Sequence, residues 1–144
     1  MIVTAAGRVV ALDPGQRRIG VAISDRERTM AFPRPAVTVE PSGRHLDLIV
    51  DLVDEEMAVT VVVGLPKGLD GREGSSAGLA RSFAAALSER LGDRDVRVEL
   101  HDERLTTVQA AGSLRAAGRN ARQQKGAIDS AAAAVLLEAW ISCR

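Results

Sequence analysis

Acidic side chains lie at the ends of three segments that have the pattern of a strand or a helix. Asp13 follows an apolar run, Asp102 and Glu103 follow an alternating segment that ends at Leu100, and Asp129 precedes another apolar run. Carboxylates held a few Å apart repel one another unless a cation lies between them, and hard divalent ions such as Mg²⁺ favour oxygen ligands. Two such ions about 3.5–4 Å apart can activate water and stabilise the leaving oxygen of a phosphodiester. The three acids therefore suit metal-dependent phosphodiester hydrolysis, if the fold brings them together.

Each acid also has a purely structural interpretation. Asp13 with Pro14 and Gly15 is typical of a tight turn, since Asp bonds its own backbone, Pro presets φ and Gly accepts a positive φ. Asp129 is suited to the N-cap of a helix, and Glu103 to a loop. The combination favours metal binding more than any one acid does, but the residues alone leave both interpretations open.

Basic residues near these acids predict contacts with a phosphate backbone. Acidic and basic residues number 19 each, so the net charge indicates no nucleic-acid partner, but segment 104–125 carries five basic residues and no acidic one. A glycine-rich segment, 64–74, precedes a predicted helix whose first amides could hold a phosphate. The predicted substrate contacts are Arg17, Arg18, Lys67, Arg72, Arg104, Arg119, Arg122 and Lys125.

Few side chains could read bases or transfer protons. The aromatic residues are Phe32, Phe83 and Trp140, so we expect recognition of backbone shape rather than stacking on bases. His101 precedes the second acid, and a structural role at a strand end is favoured over a role as ligand or proton shuttle. His45 is expected on a helix surface.

Length and composition indicate one domain. A chain of 144 residues that is 46% hydrophobic can bury one core, and no linker divides it, so we expect a single domain over residues 1–144. The longest apolar stretch, 131–141, is short for a membrane span and contains Glu138, and the N-terminus lacks a signal-peptide pattern. We therefore expect a cytoplasmic protein. Cys143 permits no intrachain disulfide, although it could link two chains.

Periodicity predicts an ordered series of strands and helices. The predicted strands are 8–13, 19–24, 29–39, 59–64 and 96–100, and the predicted helices are 42–57, 75–91, 105–117 and 127–142, with a polar loop at 118–126. Pro33 and Pro35 indicate that the third strand lies at an edge. Three strands on short turns form an antiparallel meander, whereas the later strand–helix–strand connections require parallel neighbours.

The predicted fold is α/β, with a mixed five-stranded sheet and helices on both faces, which is the ribonuclease H-like architecture. Actin-like ATPase domains share its strand order, so the fold alone does not decide the function. An actin-like nucleotide-binding module would need two such domains to enclose a nucleotide, and 144 residues supply one. The other alternative is a catalytically inactive scaffold that only binds nucleic acid, and the intact acids argue against it.

Four segments of the sequence resemble the signature blocks of a known family. They read ALDPGQRRIGVAISD, VVVGLPKGLDGREG, HDERLTT and IDSAAAAVLL, in family order over nearly the whole chain. The family is YqgF, also called RuvX, of Holliday junction resolvases and pre-16S rRNA nucleases. The resemblance implies a ribonuclease H-like nuclease of the bacterial cytoplasm that uses Mg²⁺ or Mn²⁺ to mature the 5′ end of 16S rRNA, with branched DNA as a second substrate.

The resemblance also implies which residues act. Carried onto matching positions, the family's catalytic and metal-binding triad would be Asp13, Glu103 and Asp129. Arg17 stands where the family often has lysine, which keeps the charge and adds a planar fork that can grip phosphate at two points. The implied partners are pre-16S rRNA and four-way junction DNA. Because a junction has two symmetric strands to cut, a homodimer would suit that substrate.

Overall fold

The computed structural model describes residues 7–66, 72–102 and 121–143, and within 121–129 it describes the backbone alone. The elements in these ranges are β1 (Val9–Pro14), β2 (Arg18–Ser24), β3 (Ala31–Thr38), α1 (Arg44–Glu55), β4 (Thr60–Leu65), α2 (Ser75–Leu91), β5 (Arg97–Asp102) and α3 (Ala121–Ser142). All five predicted strands are confirmed, each to within two residues at either end. The predicted helix 105–117 lies outside the described residues.

The strands form one mixed sheet in the order β3-β2-β1-β4-β5. β2 pairs antiparallel with β1 and β3, whereas β4 pairs parallel with β1 and β5. β3 is an edge strand, as Pro33 and Pro35 predict, because proline cannot donate to a sheet ladder. The parallel strands β1, β4 and β5 end side by side, at Pro14, Leu65 and Asp102. We call this the carboxyl end of the sheet.

Different helices cover the two faces of the sheet. Along the buried part of β1, Val10 and Leu12 pack with apolar residues of α1 and α2, whereas Val9 and Ala11 pack with α3. The same alternation holds in β2 and β4. The predicted arrangement of helices on both faces is therefore confirmed, and we call the two sides the α1/α2 face and the α3 face.

α3 begins at Ala121, six residues before its predicted start at 127. The predicted polar loop is wrong over 121–126 because Ala, Arg, Gln and Lys are favourable helix formers, and polarity alone does not end a helix. Asp129 consequently lies inside the helix and not at its N-cap. Within the described ranges, no helix is both long and apolar enough to cross a membrane.

The β2–β3 turn is organised by Ser24 and Asp25, the last residues of the first signature block. The buried Ser24 hydroxyl accepts the N–H of Val9 at 2.9 Å and donates to the Asp25 carbonyl at 2.8 Å. The Asp25 carboxylate accepts the Thr29 hydroxyl at 2.6 Å and the N–H groups of Thr29 and Met30. These hydrogen bonds lower the pKa of Asp25 to about 2 from its ordinary value of 3.8, and the bond from the Thr29 hydroxyl has the largest effect.

We expect the stability that Asp25 contributes to vary with pH between about 4 and about 2. Because the folded-state pKa is depressed, the ionised carboxylate stabilises the turn above the unfolded pKa, and this contribution disappears as pH falls through the folded value. Asp25→Asn keeps the shape and removes the charge, so its Tm should lie below that of the wild type at neutral pH and converge with it near pH 2. Thermal unfolding of both proteins across this range measures the gap. A gap that stays constant would contradict the assignment.

Candidate active site

Asp13 lies in the paired part of β1, before the turn that follows. Its backbone pairs with Gly20 of β2. The turn itself is formed by residues 15–18, where the Gly15 N–H donates to the Arg18 carbonyl at 2.9 Å. A Cβ on Gly15 would lie 2.7 Å from that same oxygen, so the turn requires glycine at this position. The turn interpretation therefore applies to Gly15, and Asp13 belongs to the strand.

The side chain of Asp13 faces α3 and lies between two glycines. Alternation along β1 puts Asp13 on the same face as Ala11, which packs with α3. Gly20 is directly opposite on β2, and the register of β1 with β4, continued by one residue, brings Gly64 to the other side. Both glycines are buried and Asp13 is half-buried. The two residues directly opposite Asp13 on the neighbouring strands consequently have no side chain, an arrangement that often marks the close approach of a ligand.

His101 continues this row of residues onto β5. It pairs with Gly64, and its side chain is half-buried. Glu99, two residues before His101 on β5, accepts the indole N–H of Trp140 on α3 through a carboxylate oxygen at 3.2 Å. Since alternate residues of a strand face the same side of the sheet, His101 also faces α3. Asp13 and His101 therefore share the α3 face, with their Cα atoms about 10 Å apart across two strand spacings. A glycine is the residue between them in the row.

Asp102, by contrast, belongs to the opposite face. It pairs with Leu65, which lies in the apolar cluster of α1 and α2. The sheet therefore separates the side chain of Asp102 from that of Asp13. Of the two adjacent acids in the sequence, Asp102 is removed from the candidate cluster, and Glu103 lies outside the described residues.

α3 reaches the carboxyl end of the sheet through its N-terminal half. The buried Ser130 hydroxyl donates to the Arg34 carbonyl of β3 at 2.5 Å. Pairing across β2 puts Arg34 level with Leu12, the residue before Asp13. Asp129 is the helical neighbour of Ser130, so its backbone lies at the same end of the sheet as Asp13. The side chain of Asp129 lies outside the described part of the chain.

The hairpin beyond Asp13 carries two of the predicted phosphate contacts. Arg17 is exposed in the turn, and Arg18 is half-buried at the start of β2. Alternation along β2 puts Arg18 on the α3 face with Asp13. Arg72 is exposed just before α2. The remaining predicted contacts have side chains outside the described part of the chain, although the last two lie on the backbone of α3: Lys67, Arg104, Arg119, Arg122 and Lys125.

The described side chains do not by themselves form a metal site. Among them, no group of three or more His, Cys, Asp or Glu side chains is placed to hold an ion. Two of the three predicted ligands, Glu103 and Asp129, have side chains outside this set. What the structure contributes is one half-buried carboxylate, Asp13, with two glycines beside it and a helix that leads to Asp129.

The chain is similar to a known family over almost its full length. The RuvX family, described as a Holliday junction resolvase, matches residues 7–143. A protein of Mycobacterium ulcerans (strain Agy99) is 48% identical over 141 residues, which are 98% of this chain and 82% of that protein. A protein of Mycobacterium tuberculosis (strain ATCC 25618 / H37Rv) is 46% identical over 138 residues, 96% of this chain and 80% of that one. Both bear the name "Putative pre-16S rRNA nuclease".

Solved structures with a similar fold include RuvC of Thermus thermophilus. A RuvC chain in complex with a Holliday junction substrate has a TM-score of 0.54 at 17% identity, over 94% of this chain and 96% of that one. A second RuvC structure has a TM-score of 0.50 at 16% identity, with the same coverage. These likenesses establish the ribonuclease H-like fold that the strand order predicts. Because the family match spans nearly the whole chain and the fold agrees with it, the chain belongs to the RuvX Holliday junction resolvase family and is a nuclease.

Proposed function

We propose that this chain is a divalent-metal-dependent nuclease that cleaves pre-16S rRNA in the maturation of its 5′ end, in the cytoplasm, with four-way junction DNA as the second candidate substrate. The observation that carries the proposal is the position of Asp13, half-buried between Gly20 and Gly64 at the carboxyl end of β1. Because the residues directly opposite Asp13 on both neighbouring strands are glycines, no side chain from those two positions competes with an ion or a phosphate. The names of the curated relatives support the RNA substrate, and the family description supports the junction.

The residues present fit a hard divalent ion. Asp13 supplies carboxylate oxygens, and we propose Glu103 and Asp129 as the other ligands. Glu103 is covalently bonded to the last residue of β5, and α3 brings the backbone of Asp129 to the same end of the sheet. Three carboxylates are a donor set that Mg²⁺ and Mn²⁺ favour. When bound, these ions would activate the attacking water and stabilise the leaving oxygen of the phosphodiester.

The chain's own basic residues would position the substrate strand. Arg17 and Arg18 lie on the hairpin just beyond Asp13, and a guanidinium group can grip a phosphate through two parallel hydrogen bonds. The Gly15–Arg18 hydrogen bond fixes the backbone of this hairpin relative to the acid. We propose six further phosphate contacts on the basis of their charge: Lys67, Arg72, Arg104, Arg119, Arg122 and Lys125.

Cleavage of two labelled substrates tests this proposal. A 16S rRNA precursor fragment that extends beyond the mature 5′ end and a four-way DNA junction are each incubated with the wild type in Mn²⁺, in Mg²⁺ and in EDTA. We expect the rRNA fragment to be cut in either metal and to stay intact in EDTA. Faster cleavage of the junction than of the rRNA fragment would support the nuclease activity but make junction DNA its preferred substrate. Binding of both substrates without cleavage in any metal would contradict the proposal and indicate a binding module.

A further inference from the structure

We propose that His101 touches the substrate at the scissile phosphate, where its imidazole donates an N–H to a phosphate oxygen held over Gly64, across from Asp13. This inference rests on the proposed function and adds a residue to the same site. It concerns a contact with the substrate and not with the metal. The sequence alone favours a structural role at a strand end for this histidine.

The register of the sheet brings His101 into line with the catalytic candidate. Gly64 pairs with His101, and Asp13 is the next residue along the same row on β1. Both side chains face α3, as the Glu99–Trp140 hydrogen bond and the packing of Ala11 require. Because glycine has no side chain, none lies between the carboxylate and the imidazole in this row. A phosphate bound over Gly64 would be within reach of both groups.

The imidazole of His101 is available for such a contact. Within the described part of the chain, no hydrogen bond or ion pair engages it, although it is half-buried. His45 provides the contrast, because its Nδ1 accepts the N–H of Glu40 at 3.1 Å and so holds the chain that leads into α1. Since none of the buried side-chain N or O atoms in the described ranges lacks a partner, the unpartnered nitrogens of His101 are accessible from outside the chain.

The chemistry of imidazole suits a phosphate oxygen. An imidazole carries at least one N–H donor in either protonation state, so it can donate to a phosphate oxygen. A hydrogen bond to a charged phosphate is stronger than one between neutral groups, and it strengthens further as negative charge develops on the phosphoryl oxygens. His101 would therefore hold the phosphate over Gly64, beside the carboxylate of Asp13.

Two substitutions of His101 and one of His45 test the contact. We expect His101→Ala to lower the single-turnover cleavage rate in Mn²⁺ by about 10- to 100-fold, the effect of losing one hydrogen bond to a charged group. His101→Gln, which keeps an N–H donor, should recover most of that loss. The increase in Tm on adding Mn²⁺ should be the same in the wild type and in both variants. His45→Ala, the matched control, should cleave at the wild-type rate.

Each other result has a distinct meaning. Wild-type cleavage by His101→Ala would overturn the inference and support a structural strand-end role. Loss of the Mn²⁺-induced Tm increase in His101→Ala would also overturn it, because His101 would then be a metal ligand. If the wild type does not cleave at all, the proposed function fails, and equilibrium binding of the uncut RNA in EDTA still decides the inference. Weaker binding by His101→Ala than by His45→Ala supports the phosphate contact, and equal binding overturns it.

Discussion

Asp13→Asn should lower the rate of cleavage of either substrate by at least about 1,000-fold, because the metal-dependent step draws several kcal/mol of transition-state stabilisation from the site. Asn keeps the size of the side chain and one carbonyl oxygen but removes the charge that a divalent ion requires. The pairing of residue 13 with Gly20 uses backbone atoms, so the strand should form as before. Single-turnover rates at saturating enzyme, in Mn²⁺, measure the loss without interference from product release.

Asp102→Asn is the matched control for this prediction. It removes a carboxylate that is also half-buried at the carboxyl end of the sheet but lies on the α1/α2 face, where Leu65 packs. We expect Asp102→Asn to cleave within a few-fold of the wild type. If both variants lost the same fraction of the cleavage rate, the negative charge of this region would matter and the face on which it lies would not. That result would contradict the site described above.

Binding separates loss of catalysis from loss of folding. Asp13→Asn should bind the uncut RNA in EDTA as tightly as the wild type, or more tightly, because one negative charge facing the phosphate has been removed. A variant that neither binds nor cuts would have lost its fold and would say nothing about Asp13. A variant that binds normally and still cuts would show that Asp13 only supports the strand.

The strands could be predicted from the sequence because each carries a local signal. The uniformly apolar run from Val9 to Leu12 predicts a strand buried on both faces, and all four residues are fully buried. Pro33 and Pro35 indicate an edge strand, and β3 lies at the edge. The start of α3 could not be predicted in this way, because the segment from Ala121 to Lys125 has polar residues with good helix propensity and no apolar periodicity.

The arrangement of the site depends on pairing between strands that are distant in the sequence. The sequence presents Asp102 and Glu103 as equivalent acids, and the register of β5 is what removes Asp102 to the α1/α2 face. The same register puts His101 in line with Asp13. A signal for this arrangement did exist, since Gly20 and Gly64 interrupt strands that are otherwise rich in Val and Ile. Its meaning emerges only when the two glycines are known to lie on either side of Asp13.

Mn²⁺ should stabilise the wild type strongly and Asp13→Asn very little. An ion that binds the folded state alone adds about 2.7 kcal/mol to the free energy of unfolding at about 100 times its Kd, which corresponds to an increase in Tm of about 5–10 °C for a chain of this size. The unfolded chain cannot reproduce the site, because Asp13, Glu103 and Asp129 are far apart in the sequence. Thermal unfolding in a Mn²⁺ titration, with EDTA as the reference, measures the increase.

Asp102→Asn again provides the control for the metal, and it should keep the full increase in Tm. Glu103→Gln and Asp129→Asn should each lose most of it, as Asp13→Asn does, because a divalent ion loses much of its affinity when one of three carboxylates is neutralised. These Tm measurements do not depend on the identity of the nucleic acid. If Asp13→Asn and the wild type respond equally to Mn²⁺, the shared metal site is wrong even if the protein cuts RNA, because the ion would then bind without the carboxylate at the centre of the sheet.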